Sequence, residues 1–152
     1  MAISLLAVDP GVDTGWAMRN VDEGWVTGVI GPHRGWADEW RTADALMELA
    51  NRCEYVVFED FILYDGHAKN SDRDGLSPVR VTAAFFTLVQ ERGRKFNILP
   101  FQMASEVMTT LSDQRLASLD YEVRGKTDHE KDALRHLIMA ERKMARKARA
   151  RR

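Results

Sequence analysis

The chain has 152 residues, of which 45% are hydrophobic and 30% charged, with a net charge of −1 and one cysteine, Cys53, so we expect one domain with a sizeable core. A single cysteine excludes an internal disulfide framework and a multi-cysteine zinc site. The N-terminal apolar run is too short for a signal peptide or a membrane span and is followed at once by Asp9, which predicts a cytoplasmic protein.

The first predicted strand ends on a carboxylate. Residues 3–8 form an apolar run of strand length, Asp9 follows, and Pro10-Gly11 turn the chain sharply. Gly15 permits a close backbone approach before the next strand. An acid at the end of a buried strand must be paired, solvated or bound to a metal, but Asp beside Pro and Gly is also ordinary turn chemistry. Asp9 alone leaves both interpretations open.

A hairpin and a helix come next. Residues 15–20 and 24–30 are predicted strands, joined by a polar turn that closes on Gly24, and Gly31-Pro32 end this three-stranded meander. Apolar residues recur at three-to-four spacing between Trp36 and Asn51, which predicts an amphipathic helix. Its tryptophans and methionines are more typical of a core than of a ligand site.

The strand at residues 55–59 repeats the design of the first, because it also ends on a carboxylate, Glu59. If the two strands are parallel neighbours, Asp9 and Glu59 meet at the edge where open α/β sheets bind ligands. Two carboxylates without partners would repel each other, and a divalent cation would relieve that repulsion. The pair therefore indicates a metal site.

The middle of the chain is predicted to contain two loops, two helices and a short strand. Residues 63–77 are polar and lack periodicity, so they form a surface loop that is either a substrate clamp or disordered. Pro78 opens a helix that runs to about Arg92 and ends at Gly93. A fifth strand is predicted at 95–100, helices at 102–110 and 113–119, and a second loop at 119–127.

The last helix begins at Thr127, which forms a capping box with Glu130. His129 and Asp132 are three residues apart, so they share one face of this helix, and His136 lies one turn further along that face. A lone histidine on a packed helix is usually structural. The His–Asp pair is a stronger candidate for function.

The C-terminal segment, residues 142–152, holds seven of the 22 basic residues and no acid. Residues 1–141 contain the other 15 basic residues and all 23 acidic ones, so they carry a net charge of −8. An acidic body with a basic arm fits an acidic metal site beside an arm that contacts phosphates. A solvated, partly disordered tail explains the same composition.

Three segments carry the strand-end acids and the His–Asp pair: Val8-Asp9-Pro10-Gly11-x-x-Thr14-Gly15-Trp16-Ala17, Phe58-Glu59 and His129-x-x-Asp132-Ala133-Leu134. Together they resemble the RuvC-like Holliday junction resolvases of the ribonuclease H-like superfamily, especially their compact phage versions. The resemblance implies an α/β, ribonuclease H-like fold: a five-stranded mixed sheet, with three antiparallel strands and then parallel strands, flanked by helices. We assign residues 1–141 to this nuclease domain and residues 142–152 to a basic C-terminal tail.

By the same resemblance, Asp9, Glu59, His129 and Asp132 would be the catalytic residues and would hold two Mg²⁺ ions, or Mn²⁺ in their place. Two divalent ions about 4 Å apart activate water and neutralise the leaving oxygen in phosphodiester hydrolysis. Oxygen ligands with at most one imidazole suit these ions better than zinc. Whether His129 is a ligand, orients the water or protonates the leaving oxygen stays open.

The expected activity is metal-dependent cleavage of four-way DNA junctions. Basic side chains would hold the duplex arms through phosphates, which position DNA without reading its sequence: Lys69, Arg73, Arg124, Lys126, Arg142, Lys143, Arg146 and Lys147. Paired cuts need two active sites, so we expect a homodimer. The candidate interface is the helix from Pro78, with Phe85 or Phe86 exposed.

Three other functions are weighed against this one. A related nuclease acting on flaps, other branched DNA or RNA–DNA hybrids would carry the same residues. Sugar kinases and actin-like ATPases also open with an Asp-x-Gly-x-x-Thr turn, but they need two such domains. A DNA-binding module without catalysis would have no use for three acids that repel phosphate when no metal is bound.

Overall fold

A computed structural model describes residues 3–20, 24–61, 76–119, 121 and 123–151. In chain order the elements are β1 (Leu5–Asp9), β2 (Thr14–Asn20), β3 (Gly24–Ile30), α1 (Trp36–Ala50), β4 (Tyr55–Asp60), α2 (Ser77–Arg92), β5 (Asn97–Ile98), β6 (Gln102–Met103), α3 (Ala104–Thr110), α4 (Asp113–Ala117) and α5 (Asp128–Ala150). No helix in the described ranges combines the length and the apolar character that crossing a membrane requires.

The sheet is mixed, as the sequence predicts. Its strand order is β3-β2-β1-β4-β5, and β6 pairs separately with β4. The strands β1, β2 and β3 pair antiparallel, whereas β4 lies parallel to β1. Because Val8 pairs with Phe58 in that parallel ladder, the next residues, Asp9 and Glu59, emerge side by side at the carboxyl edge of the two central strands.

Helices cover both faces of the sheet, and alternation along β1 assigns its side chains to the two cores. Leu6 and Val8 point into a core shared with α1 and α2. Leu5 and Ala7 belong to the opposite core, which is shared with α3, α4 and α5. All five residues of β1 are buried, which explains the continuous apolar run that predicted it.

The prediction for residues 95–110 is wrong in detail. The fifth strand is limited to Asn97–Ile98, and Gln102–Met103 form the additional strand β6 instead of the first turn of a helix. The reason is that β4 continues to Asp60 and presents an edge with which Gln102 and Met103 pair in parallel. The helix therefore starts at Ala104. Most of the predicted loop at 63–77 lies outside the described residues.

The residues suggested for a dimer interface on α2 are not exposed. Phe85 is 0% exposed, and its ring packs against Phe58 with the centroids 4.9 Å apart. Phe86 is partly buried against the same core. Both aromatic side chains attach α2 to the sheet, and Phe85 is not accessible to a second copy.

The last helix, α5, extends beyond the residues that it buries, which end at Ala140. The capping box between Thr127 and Glu130 is present, as predicted. From there α5 runs without interruption to Ala150, so residues 142–150 of the basic segment are helical and continue the helix that packs on the sheet.

His33 lies in a buried polar cluster next to the turn that follows β1. Its Nε2 is 3.2 Å from Oγ1 of Thr14, and its Nδ1 is 3.2 Å from Oγ1 of Thr42. Burial lowers the pKa of His33, although the carboxylates of Glu39, Asp38 and Asp13 oppose this shift.

Acid should therefore destabilise the protein through His33. Below about pH 6.5 the unfolded chain takes up a proton that the buried imidazole resists, so stability is lost as the pH falls. The variant His33→Gln keeps a polar side chain but has no imidazole, so this pH-dependent part of the stability is absent. The free-energy advantage of the wild type over the variant should shrink as the pH falls below 6.5, at a rate of at most about 1.4 kcal/mol per pH unit. Denaturant unfolding at several pH values measures it; a difference independent of pH would contradict the prediction.

Candidate metal and catalytic site

The structure brings all four predicted site residues to one cleft of about 160 Å³. Asp9 and Glu59 come from the ends of β1 and β4, and His129 and Asp132 from the first turns of α5. The lining also includes side chains from α3 and α5 that the sequence did not assign to a site: Ala104, Val107, Met108, Arg135 and His136.

Asp9 is the most buried of the three acids in this group. Burial raises its pKa to about 9, and the negative charges of Glu59 and Asp132 add to the shift. Its Oδ2 lies 3.1 Å from Nδ1 of His129. The repulsion expected between strand-end carboxylates is therefore present, and a bound cation would favour the ionised form of Asp9.

The position of His129 depends on a glycine across from it. A Cβ atom added at Gly15 would lie 2.1 Å from the carbonyl oxygen of His129. Only glycine lets β2 approach the first turn of α5 this closely. The close approach that the sequence predicts at Gly15 is confirmed, and it places the imidazole of His129 against Asp9.

Glu59 has a partner that the sequence did not assign to the site. Nε2 of His136 lies 2.8 Å from Oε2 of Glu59, and the His136 side chain is 1% exposed. The only local signal was its position, one turn after Asp132 on the same helix face. Contact with Glu59 could not be inferred from that spacing.

Asp132 is paired with a buried arginine. Arg135 donates hydrogen bonds to Asp132 and to Asp113 of α4, and its Nε donates to the carbonyl oxygen of Leu111 at 2.7 Å. Buried charges need such partners. Arg135 thus holds the Asp132 carboxylate at the cleft and links it to α4.

The donor set of the cleft fits Mg²⁺ or Mn²⁺, because it combines three carboxylates with one accessible imidazole. Each of these acids already has an internal partner: His129 for Asp9, His136 for Glu59 and Arg135 for Asp132. Within the described ranges, no three His, Cys, Asp or Glu side chains surround a common point at ligand distances. Binding of a cation would therefore require the side chains of the cleft to move closer together.

Comparison with known proteins was informative at the level of structure. No family model and no curated protein matches the sequence. T. thermophilus RuvC, in a complex with a Holliday junction substrate, superimposes with a TM-score of 0.64 at 16% identity, over 88% of this chain and 89% of that one. The yeast mitochondrial Holliday junction resolvase Ydc2 gives a TM-score of 0.53 at 10% identity, over 89% of this chain and 74% of that one.

This chain has a ribonuclease H-like fold. The segments around Asp9, Glu59 and Asp132 predicted a resemblance to Holliday junction resolvases. The two solved structures confirm that resemblance for the fold. Within the ribonuclease H-like fold, the cleft lies at the carboxyl edge of the two parallel central strands, where the sequence predicted a site.

The basic residues expected to bind DNA differ in their surroundings. Lys126 donates to Oγ1 of Thr27 at 2.6 Å and lies over the Trp25 ring, and Lys143 pairs with Glu106 at 2.9 Å. The remaining members form no ion pair with another described residue: Arg124, Arg142, Arg146 and Lys147. Lys69 and Arg73 lie outside the described residues.

Proposed function

We propose that this protein is a metal-dependent endodeoxyribonuclease that resolves four-way (Holliday) DNA junctions by two-metal phosphodiester hydrolysis. The observation that carries the proposal is the cleft in which Asp9, Glu59 and Asp132 meet, with the pKa of Asp9 raised to about 9 by burial and by the other two acids. Such a group repels phosphate unless cations neutralise it. The fold shared with two junction resolvases supports the choice of substrate.

We assign each acid a role in this proposal. Asp9, on the central strand β1, would contribute to holding both ions, while Glu59 would hold one ion and Asp132 with His129 the other. When bound, Mg²⁺ or Mn²⁺ would promote deprotonation of the attacking water and neutralise the leaving oxygen. His129 is more exposed than Asp9, which suits a group that orients water or transfers a proton at the cleft mouth.

The proposal extends to the assembly. Cutting two opposing strands of a two-fold symmetric junction needs two active sites, which a homodimer supplies. Because Phe85 is buried, the interface lies elsewhere than on that side chain. We place the protein among the compact, phage-type resolvases, acting in the cytoplasm of the host.

A cleavage assay tests the proposal. A synthetic four-way junction and a linear duplex of the same sequence would be incubated with Mg²⁺ or with EDTA. We expect paired, symmetric nicks in the junction alone, and none with EDTA. Cleavage of flaps or RNA–DNA hybrids but not of junctions would keep the metal site and favour the related-nuclease alternative. If the protein bound the four-way junction tightly but did not cleave it with Mg²⁺ or Mn²⁺, the proposal that it is an enzyme would be contradicted.

The basic end of α5 should contact DNA through phosphates. Arg146 follows Asp132 by 14 residues, which is about 21 Å along a helix at 1.5 Å per residue, so a duplex arm leaving the cleft can reach it. Arg146 and Lys147 are both exposed. Replacing both with alanine should lower the slope of log Kd against log salt concentration by about 1.8, since each lost phosphate contact contributes about 0.9. Junction-binding titrations at several salt concentrations measure it.

A matched control changes the same number of charges on the opposite face. Arg41 and Arg92 belong to the α1–α2 layer and are exposed. Their double alanine variant should leave the salt slope of junction binding unchanged. Equal slopes in all three proteins would show that the end of α5 does not contact DNA.

A further inference from the structure

Behind Glu59 lies a chain of buried hydrogen bonds that the proposed catalytic roles do not use. It runs from the backbone of α5 through Gln102 and His136 to the Glu59 carboxylate. Gln102 and His136 are 3% and 1% exposed. Gln102 reaches this position because its residue in β6 pairs directly with Glu59 in β4, so the short strand β6 sets the partners of the acid.

The orientation of the Gln102 amide follows from its neighbours. With Nε2 facing α5, it donates to Nδ1 and to the carbonyl oxygen of His136, each at 3.1 Å, while Oε1 accepts from the Ala140 N–H at 3.2 Å. The reverse orientation would set two oxygens against each other and leave the Ala140 contact without an acceptor. Hydrogen-bond satisfaction thus selects the first orientation.

This orientation determines where the imidazole carries its proton. Nδ1 of His136 accepts a hydrogen bond from Gln102, so the ring hydrogen that faces Glu59 is on Nε2. That N–H then donates to Oε2 of Glu59 over 2.8 Å. Nε2 has no lone pair left for a metal, which excludes His136 itself as a ligand in this arrangement.

We propose that His136 and Gln102 are positioning residues that hold the Glu59 carboxylate ready for a divalent cation. The inference rests on the proposed function. By engaging Oε2, the His136 N–H restricts rotation of the carboxylate and leaves Oε1 as the oxygen available to the ion. Hydrogen bonds of this kind orient ligating carboxylates in metalloproteins, and losing one typically weakens metal binding by about 10- to 100-fold.

Two variants of similar size separate positioning from packing. His136→Met fills the space but cannot donate, whereas His136→Gln keeps an amide N–H near the position of Nε2. We expect Mn²⁺, titrated into the metal-free full-length protein and followed by electron paramagnetic resonance, to bind about 10- to 100-fold more weakly to His136→Met. His136→Gln should recover most of the affinity. Gln102→Met should lie between His136→Met and the wild type, since the imidazole stays but its proton is no longer held on Nε2.

A second measurement reports directly which ring nitrogen of His136 carries the hydrogen. Nitrogen-15 NMR of the histidine-labelled, metal-free wild type should show His136 as the neutral Nε2–H tautomer, and Gln102→Met should shift it towards a mixture. An Nδ1–H tautomer in the wild type would overturn the inference, because Nε2 would then have no hydrogen to donate to Glu59. The inference would also be overturned if His136→Met bound Mn²⁺ as tightly as a wild type that binds Mn²⁺ and cleaves junctions. The proposed function would stand in that case. If the wild type bound no Mn²⁺ at all, both would be wrong.

Discussion

Replacing Asp9 with asparagine should abolish cleavage and at the same time stabilise the metal-free protein. Asp9 shares the cleft with Glu59 and Asp132, whose charges act on it, and its amide analogue could not balance the charge of bound cations. We expect junction cleavage in Mg²⁺ to fall by at least about 10²- to 10³-fold, the loss typical of removing one group that stabilises transition-state charge. Single-turnover cleavage assays measure this effect.

The stability gain follows from the raised pKa. Asp9 has a pKa of about 9 in the folded protein and an ordinary value of 3.8, so the folded state binds more protons than the unfolded state between these values. The free energy of unfolding of the wild type should therefore fall as the pH rises through this window and level off above about pH 9. At pH 8, Asp9→Asn should be more stable by at least about 1.4 kcal/mol, the equivalent of one pKa unit.

Adding Mg²⁺ should reverse which of the two proteins, the wild type or Asp9→Asn, is the more stable. A cation that binds only the folded state raises its stability, so Mg²⁺ should raise the Tm of the wild type and leave Asp9→Asn nearly unchanged. Asp60→Asn is the matched control, because Asp60 is an exposed strand-end acid one residue after Glu59. It should cleave and unfold like the wild type. An Asp9→Asn protein less stable than the wild type at pH 8 would contradict burial of a repelled carboxylate.

Gly15→Ala should damage the fold and the site together. The added methyl group would meet the carbonyl oxygen of His129 at 2.1 Å and its carbonyl carbon at 2.4 Å, and backbone at the start of a helix cannot simply move aside. We expect a loss of about 3 kcal/mol, the upper end of typical overpacking costs, or a fall in Tm of roughly 6 to 12 °C for a domain of this size. Thermal unfolding by circular dichroism measures it.

Gly28→Ala provides the comparison. Its added methyl group would meet the ring of Trp16 at 2.5 Å, but this neighbour is a partly exposed side chain that can shift. The expected loss is about 1 kcal/mol, the lower end of overpacking costs. Cleavage by Gly28→Ala should persist, whereas Gly15→Ala should lose it because α5 carries His129 and Asp132. Equal losses of stability in the two variants would argue against the close approach at Gly15.

Local chemistry determined a large part of this protein. The apolar runs before Asp9 and Glu59, the Pro10-Gly11 turn and the capping box at Thr127 are encoded by residues near one another in the chain, so the corresponding elements follow from the sequence. Even the meeting of Asp9 and Glu59 was predictable, because parallel neighbouring strands bring their carboxyl ends to one edge. Gly15 signalled a close approach, although not what it approaches.

The tertiary structure alone decided how the acids are held. His136 contacts Glu59 across 77 positions of the chain and Gln102 across 34, and Arg135 reaches Asp113 across 22. No periodicity or spacing records such pairs, because they depend on how α5 packs across the sheet and on the strand β6 that pairs at the end of β4. Burial of Phe85 has the same origin, since the pattern of α2 shows an apolar face but not which residues its packing on β4 encloses. The sequence thus determined which acids meet, and packing between distant segments determined their partners, because only a folded sheet brings those segments into contact.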